Sequence, residues 1–98
     1  MLNQLCIEVE YMDYNKFDEF MHELSEQLGL NEILVENALE IRKHSGEFAY
    51  SFDYDTDNGE FESLITYTGS CIFVESDFKY ACLEVCKIIE SLLKNMGL

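Results

Sequence analysis

The stretch that decides the fold runs from Phe48 to Tyr67 and reads FAYSFDYDTDNGEFESLITY. In its first half an aromatic residue occupies every second position, at Phe48, Tyr50, Phe52 and Tyr54. A period of two residues is that of a β-strand, whose side chains point alternately to opposite faces. Asn58-Gly59 follows, a pair that favours the two positive φ angles of a type I′ turn. The stretch therefore predicts a β-hairpin centred on Asn58-Gly59.

The predicted turn fixes which residues lie opposite each other, and so sorts the side chains into two faces. Asp57 is expected opposite Glu60, Asp55 opposite Glu62, Tyr54 opposite Ser63, Phe52 opposite Ile65 and Tyr50 opposite Tyr67. The aromatic face is the predicted core. The other face carries Asp53, Asp55, Asp57, Glu60 and Glu62. Like charges placed directly opposite destabilise a ladder, so this acidic patch is either a binding surface or a solvated turn that tolerates a local cost.

The composition adds a strong charge imbalance to this pattern. Twenty acidic residues against six basic ones give the 98-residue chain a formal net charge of -14 at pH 7. Such a chain repels nucleic acid and anionic membranes, and a complementary field steers it toward basic surfaces. We therefore expect a basic protein as its partner, with acidity that serves only solubility as the alternative.

Apolar periodicity outside the hairpin predicts further strands and two helices. Strands are expected at LCIEVEY, residues 5–11, and at CIFVES, residues 71–76. One helix is expected after Asp13 or Asn15 and ends at Gly29, and a long C-terminal helix starts near Ser76 or Asp77. Residues 33–41 alternate at Ile33, Val35, Leu39 and Ile41 and are interpreted as a strand, although the same residues favour a helix.

These elements give the order β-α-β-β-β-β-α in one domain, residues 1–98. The prediction is an α+β fold with a mostly antiparallel sheet and two helices packed on its aromatic face. The opposite face of the sheet stays open, and the acidic patch lies on it. A second acidic surface is expected on the polar side of the first helix, at Asp18, Glu19, Glu23 and Glu26. The hairpin group is the first candidate for partner binding, and the helix group is the second.

Metal-binding and catalytic patterns are incomplete in this chain. Asp53, Asp55 and Asp57 match the first carboxylates of a calcium loop, but Asn58 stands at the glycine position and Leu64 at that of the bidentate glutamate. Cys82 and Cys86, one helical turn apart, need further ligands to hold zinc, and buried thiols are the simpler interpretation. No phosphate-binding loop or nucleophile elbow is present. We expect no metal, no cofactor and no catalytic residue.

The expected location is cytoplasmic. The N-terminal MLNQLCIEVEYMDY lacks the basic and apolar regions of a signal peptide. Charged residues interrupt every apolar run before the ~18 residues needed to cross a membrane. The four cysteines, Cys6, Cys71, Cys82 and Cys86, follow no disulfide-scaffold spacing and fit a reducing compartment.

In size, charge and predicted acidic sheet face, the chain resembles phage-encoded anti-CRISPR and anti-restriction inhibitors, and immunity proteins that neutralise nuclease toxins. The resemblance is one of class, without a shared motif or a transferred residue role. It implies a non-catalytic inhibitor that covers the basic nucleic-acid-binding or catalytic surface of a partner. The alternative is a type III secretion chaperone-like module, which is also small and acidic, acts as a dimer and binds an effector through an apolar groove. The sequence leaves a homodimer open.

Overall fold

The computed structural model describes residues 2–98, in which four strands form one sheet and three helices cover one of its faces. In chain order the elements are β1 (Asn3–Glu8), α1 (Tyr14–Leu28), α2 (Glu32–Ser45), β2 (Phe48–Thr56), β3 (Gly59–Tyr67), β4 (Cys71–Ser76) and α3 (Lys79–Asn95). The sheet is antiparallel, with strand order β1-β4-β3-β2. Buried residues of all three helices form one core with the strands. The predicted α+β class is confirmed, in a single compact domain.

The largest correction concerns residues 33–41, which we predicted as a strand and which lie inside α2. Asn31 caps this helix, because its side-chain oxygen accepts a backbone N–H of the first turn at 3.2 Å. Gly46 ends it with a φ of 79°. Val35 and Leu39 are buried one turn apart, whereas the two isoleucines of the apparent alternation are exposed. Capping and helical spacing override the alternation, so the domain has four strands and three helices instead of five and two.

The first strand and the first helix follow the sequence more closely. β1 occupies Asn3–Glu8, two residues earlier than the predicted range 5–11 and ending before its last three residues. The Asp13 side chain caps α1 by accepting the Lys16 N–H at 2.8 Å. Gly29 ends α1 with a φ of 67°, as predicted. Both ends of this helix are therefore encoded locally.

The C-terminal helix starts later than predicted, at Lys79 instead of near Ser76 or Asp77. Ser76 is the last residue of β4, and its side chain is fully buried. Its hydroxyl lies 3.1 Å from that of Ser63, which is directly opposite on β3. This side chain therefore belongs to the sheet, and the helix begins only after the strand has ended.

The hairpin forms, but its strands pair differently from the prediction. The two-residue turn is Asp57-Asn58, so that Asp55 lies opposite Glu60 and Asp53 opposite Glu62. Further along, the pairs are Phe52 with Ser63, Tyr50 with Ile65 and Phe48 with Tyr67. Each residue has a partner two positions away from the expected one. A shift of two positions keeps every side chain on its predicted face.

The cause of the shift lies in the turn itself. The Thr56 hydroxyl accepts the Asn58 N–H at 3.1 Å and donates to the Gly59 carbonyl at 2.9 Å. Gly59 has a φ of 118°, and no non-glycine residue among those described has a positive φ. The prediction of a type I′ turn at Asn58-Gly59 is therefore wrong. Gly59 follows the turn and is the hairpin residue with a positive φ.

A histidine links α1 to α2 at the surface. His22 Nδ1 lies 2.8 Å from the Asp18 carbonyl oxygen, and its Nε2 lies 2.5 Å from Glu36 Oε1. Both partners are acceptors, so together they favour the form with a proton on each ring nitrogen. The hydrogen bond to the Asp18 carbonyl, followed by that to Glu36, raises the pKa of His22 above 6.5.

This link predicts a pH dependence of stability. A histidine with a raised folded-state pKa contributes fully below its unfolded value of 6.5, and the contribution is lost as the pH rises through the folded-state pKa. The ring is 38% exposed, so the effect is small. We expect Tm to fall more for the wild type than for His22→Gln between about pH 5.5 and 8.5. His44→Gln, which removes a histidine that is 79% exposed, should retain the wild-type slope, and equal slopes for all three proteins would contradict the prediction.

Candidate functional site

One face of the sheet is not covered by any helix of residues 2–98, and we call it the open face. Strand pairing places on it the side chains that alternate with the buried ones. Its members are Gln4, Cys6, Glu8, Ala49, Ser51, Asp53, Asp55, Glu60, Glu62, Leu64, Thr66, Cys71, Phe73 and Glu75. All of them are exposed or half-buried. The other face carries the core, including Ile65, Ile72 and Val74, which are fully buried.

Charge is distributed unevenly between the strands and the helices. The strands contain six carboxylates, and all six point to the open face: Glu8, Asp53, Asp55, Glu60, Glu62 and Glu75. They contain no lysine, arginine or histidine. All six basic residues of the chain lie in helices: Lys16, Arg42, Lys43, Lys79, Lys87 and Lys94. The negative charge of the open face is therefore uncompensated on the sheet itself.

Four of these carboxylates form a compact block near the hairpin turn. Asp55 faces Glu60 and Asp53 faces Glu62, so two pairs of like charges lie directly opposite each other in succession. Side chains two positions apart on one strand are roughly 7 Å apart. None of the four forms an ion pair with any residue in the range 2–98. We call this group the acidic block, and it keeps four of the five hairpin carboxylates predicted for partner binding.

The fifth predicted hairpin residue, Asp57, lies apart from the block. It occupies the turn rather than the ladder, because the turn is Asp57-Asn58. Its side chain is exposed but has no cross-strand partner. Asp57 therefore borders the acidic block without belonging to either pair of opposed charges.

The second predicted group lies on the opposite side of the molecule. Asp18, Glu19, Glu23 and Glu26 are on α1, which packs its buried side on the core face of the sheet. Part of this charge is compensated: Lys16 Nζ lies 3.9 Å from Glu19 Oε2, and His22 Nδ1 lies 3.3 Å from Asp18 Oδ2. The structure does not bring the two acidic groups together, and the helix group is the less concentrated one.

Beside the acidic block the open face has an apolar centre formed by Cys6, Leu64 and Phe73. Cys6 is directly opposite Phe73 on the β1-β4 ladder, and Leu64 lies on the neighbouring strand β3. Leu64 and Phe73 are half-buried, although no helix covers them. A hydrogen bond with Cys71 raises the pKa of the Cys6 thiol, which favours its neutral form. The open face thus combines an apolar centre with a carboxylate rim, an arrangement found in protein–protein interfaces.

The sequence had placed Leu64 on the face of the hairpin carboxylates, but Phe73, Glu75 and Glu8 were not assigned to it. Glu75 and Phe73 alternate with buried Ile72 and Val74 along β4, so the period of two could have placed both on one face. Glu8 alternates in the same way with Ile7. Only the strand order, with β4 between β1 and β3, shows that these residues join the hairpin carboxylates on one surface.

The metal site, the thiol pair and the membrane span considered in the sequence analysis can each be compared with the structure. Within residues 2–98, no group of three His, Cys, Asp or Glu side chains is placed to hold a metal ion. Cys82 and Cys86 are buried on α3, and burial raises the pKa of Cys86 to about 12. None of the three helices described is long and apolar enough to cross a membrane.

Comparison with protein-family models, curated proteins and solved structures finds no significant match to this chain. The geometry of the open face is therefore the basis for a functional proposal.

Proposed function

We propose that the open face binds a basic surface of a partner protein, and that the chain acts as a non-catalytic inhibitor of that partner. The partner class is a nuclease or another nucleic-acid-binding protein, whose cationic groove would be covered. The binding residues are the acidic block, Asp53, Asp55, Glu60 and Glu62, with Asp57 at its border. The proposal includes a cytoplasmic setting, which four unpaired thiols favour.

The observation that carries this proposal is the segregation of charge. All six strand carboxylates point to the uncovered face, and the strands contain no basic residue. A charged surface that served solubility alone would gain as much from carboxylates spread over the molecule. Here two successive pairs of like charges are tolerated directly opposite each other, at a local cost to the sheet. A partner rich in lysine and arginine would remove that cost on binding.

The geometry of the acidic block suits competition with nucleic acid. Carboxylates roughly 7 Å apart along each strand have a spacing comparable with successive phosphates, and two adjacent strands present two such rows. Rows fixed on an antiparallel sheet lose little conformational freedom on binding. The adjacent apolar centre at Leu64 and Phe73 supplies contact area that does not depend on charge. We therefore expect the bound chain to exclude DNA or RNA from the partner's groove.

Salt provides the test of this proposal, because it acts in opposite directions on the free protein and on the complex. Raising ionic strength from low values to ~0.15 M shortens the Debye length to about 8 Å and weakens repulsion among the carboxylates, so Tm of the free protein should rise. Affinity for the partner, captured from the host and then purified, should fall over the same range. A DNA or RNA oligonucleotide should compete with the chain for that partner.

The same titration contains the outcomes that would overturn the proposal. Affinity that stays flat between about 50 and 500 mM salt would show that the interface is not electrostatic. A ternary complex of chain, partner and oligonucleotide would show that the nucleic-acid groove is not the site. A rise of Tm with salt but no loss of affinity would leave the acidity with a role in solubility alone.

The second candidate is a secretion chaperone-like, effector-binding dimer, and one feature favours it. Ile33, Leu34 and Ile41 on α2 are 73%, 52% and 64% exposed. Ile41 also lines a cleft of about 660 Å³ together with Ala38 and Phe48. Such a protein would bind an apolar peptide segment with salt-independent affinity. Ile41→Glu would then abolish binding, whereas the inhibitor proposal expects this change to have little effect on the partner.

A further inference from the structure

The most unusual charge in the molecule is Arg42, in the last turn of α2. Its side chain is only 8% exposed. The guanidinium carbon lies 4.6 Å from the ring centroid of Phe17, 5.2 Å from that of Tyr67 and 5.9 Å from that of Tyr14. No carboxylate in the range 2–98 forms an ion pair with it, although the chain has 20 acidic residues. Buried arginines are normally paired.

The hydrogen bonds of this guanidinium are also incomplete. Its five N–H groups can donate only, and Nη2 donates to the Met12 carbonyl oxygen at 3.2 Å. The buried Nε has no partner among the residues described. Tyr67 does not supply one, because its hydroxyl accepts the Met12 N–H at 2.9 Å and also faces the Met12 carbonyl oxygen. The protein thus holds a buried cation whose donors its own groups do not saturate.

Arg42 lines a cavity at the end of the sheet remote from the hairpin turn. The cavity measures about 250 Å³, and its walls include Tyr11, Tyr14, Arg42, Lys43, Tyr67 and Thr68. Among residues 2–98, no acidic side chain lines it. Lys43 adds a second positive charge, with its ammonium nitrogen 5.6 Å from the Tyr14 ring centroid. Two of the chain's six basic residues therefore meet in a small aromatic cavity.

A role at the end of α2 accounts for only part of this arrangement. Cations in the last turn of a helix interact favourably with its dipole, and Arg42, Lys43 and His44 all lie there. That effect needs neither burial nor aromatic walls, and exposed His44 lacks both. Nor does it explain why Arg42 and Lys43 line the same cavity. An anion in the cavity would neutralise the charge of Arg42, which is part of the cavity wall.

We propose that this cavity binds a small organic anion with a carboxylate or phosphate group on an aromatic body. The oxygens of the anion pair with the guanidinium of Arg42 and the ammonium of Lys43. Its planar body packs against the rings of Tyr11 and Tyr14. The site is independent of the open face, since it lies at the other end of β3 and uses none of its carboxylates. Failure of either proposal leaves the other standing.

The experiment uses three probes of matched shape: benzoate, phenyl phosphate and the neutral analogue benzamide. Binding is measured by changes in backbone amide NMR signals of the full chain at constant ionic strength. We expect saturable shifts for at least one anion, confined to the neighbourhood of Tyr11, Tyr14, Lys43 and Thr68. Benzamide should bind at least about tenfold more weakly, because it cannot pair with the cations. Tighter binding of phenyl phosphate identifies a phosphate ester as the ligand class, and tighter binding of benzoate identifies a carboxylate.

Charge-matched variants separate this site from general electrostatics. Lys43→Glu changes an exposed residue of the cavity wall, so it avoids the folding risk of replacing buried Arg42. Lys87→Glu makes the same change of charge at an exposed position on α3. Lys43→Glu should lower anion affinity at least about tenfold, and Lys87→Glu should change it less than about twofold. Absence of saturable binding up to roughly 10 mM of each anion, equal affinity for benzamide, or equal effects of the two variants would overturn the proposal.

Discussion

Phe17→Ala is expected to lower the free energy of unfolding by about 3 to 5 kcal/mol, the range for truncation of a fully buried aromatic ring. Phe17 is 0% exposed and lies where α1 meets the sheet and α2. Its ring stacks on Tyr67 at 4.4 Å and meets Phe48 edge-on at 4.9 Å. The guanidinium carbon of Arg42 lies 4.6 Å from the centroid of the Phe17 ring. Truncation would leave a void beside a buried charge, which adds to the lost burial.

Urea denaturation followed by circular dichroism measures this change. A domain of this size has a total stability of about 5 to 15 kcal/mol, so the variant should lose a substantial fraction of its stability. Phe17→Leu keeps most of the volume and should lose clearly less. Ile33→Ala, at a side chain that is 73% exposed, should stay within about 0.5 kcal/mol of the wild type. A loss below about 1 kcal/mol for Phe17→Ala would show that this ring does not bridge helix and sheet.

The parts of the fold that the sequence predicted are those encoded by residues close together in the chain. The aromatic alternation from Phe48 to Tyr54 gives both the strand and its buried face, because the period of two needs no knowledge of the neighbours. Asp13 and Gly29 encode the ends of α1 in the same local way. For residues 33–41 two local signals disagreed. Asn31 and Gly46 encode the ends of a helix there, and these signals outweigh an alternation interrupted after Val35.

The parts that the sequence left undetermined depend on contacts between distant residues. A single threonine hydroxyl moved the hairpin turn by one residue, and with it every pair of the ladder. The open face extends beyond the hairpin only because β4 lies between β3 and β1, which places Phe73 and Glu75 beside Leu64. No role was assigned to Arg42 from the sequence, in which no local pattern marks it as buried. Its burial follows from the aromatic side chains of α1 and β3 that surround it.

The double variant Asp55→Lys with Glu62→Lys is expected to weaken partner binding by about 100-fold or more, because two attractive contacts become repulsive at the centre of the proposed site. In the observed register these residues belong to different pairs, Asp55 with Glu60 and Glu62 with Asp53. Each substitution therefore converts a pair of like charges into a pair of opposite charges. Tm of the free variant should rise slightly while binding is lost.

This opposite movement of stability and affinity separates the functional proposal from two simpler explanations. A variant that lost binding because it unfolded would show a lower Tm. If the register had been the one expected from Asn58-Gly59, Asp55 and Glu62 would face each other, two lysines would replace two carboxylates, and the repulsion would persist without a gain in stability.

The control Glu23→Lys with Glu26→Lys makes the same change in net charge at exposed positions on α1, and should retain most of the affinity because its charges lie on the far side of the sheet. Equal loss of affinity in both double variants would show that the partner responds to net charge and not to the open face, whereas loss confined to the α1 variant would move the interface to that helix.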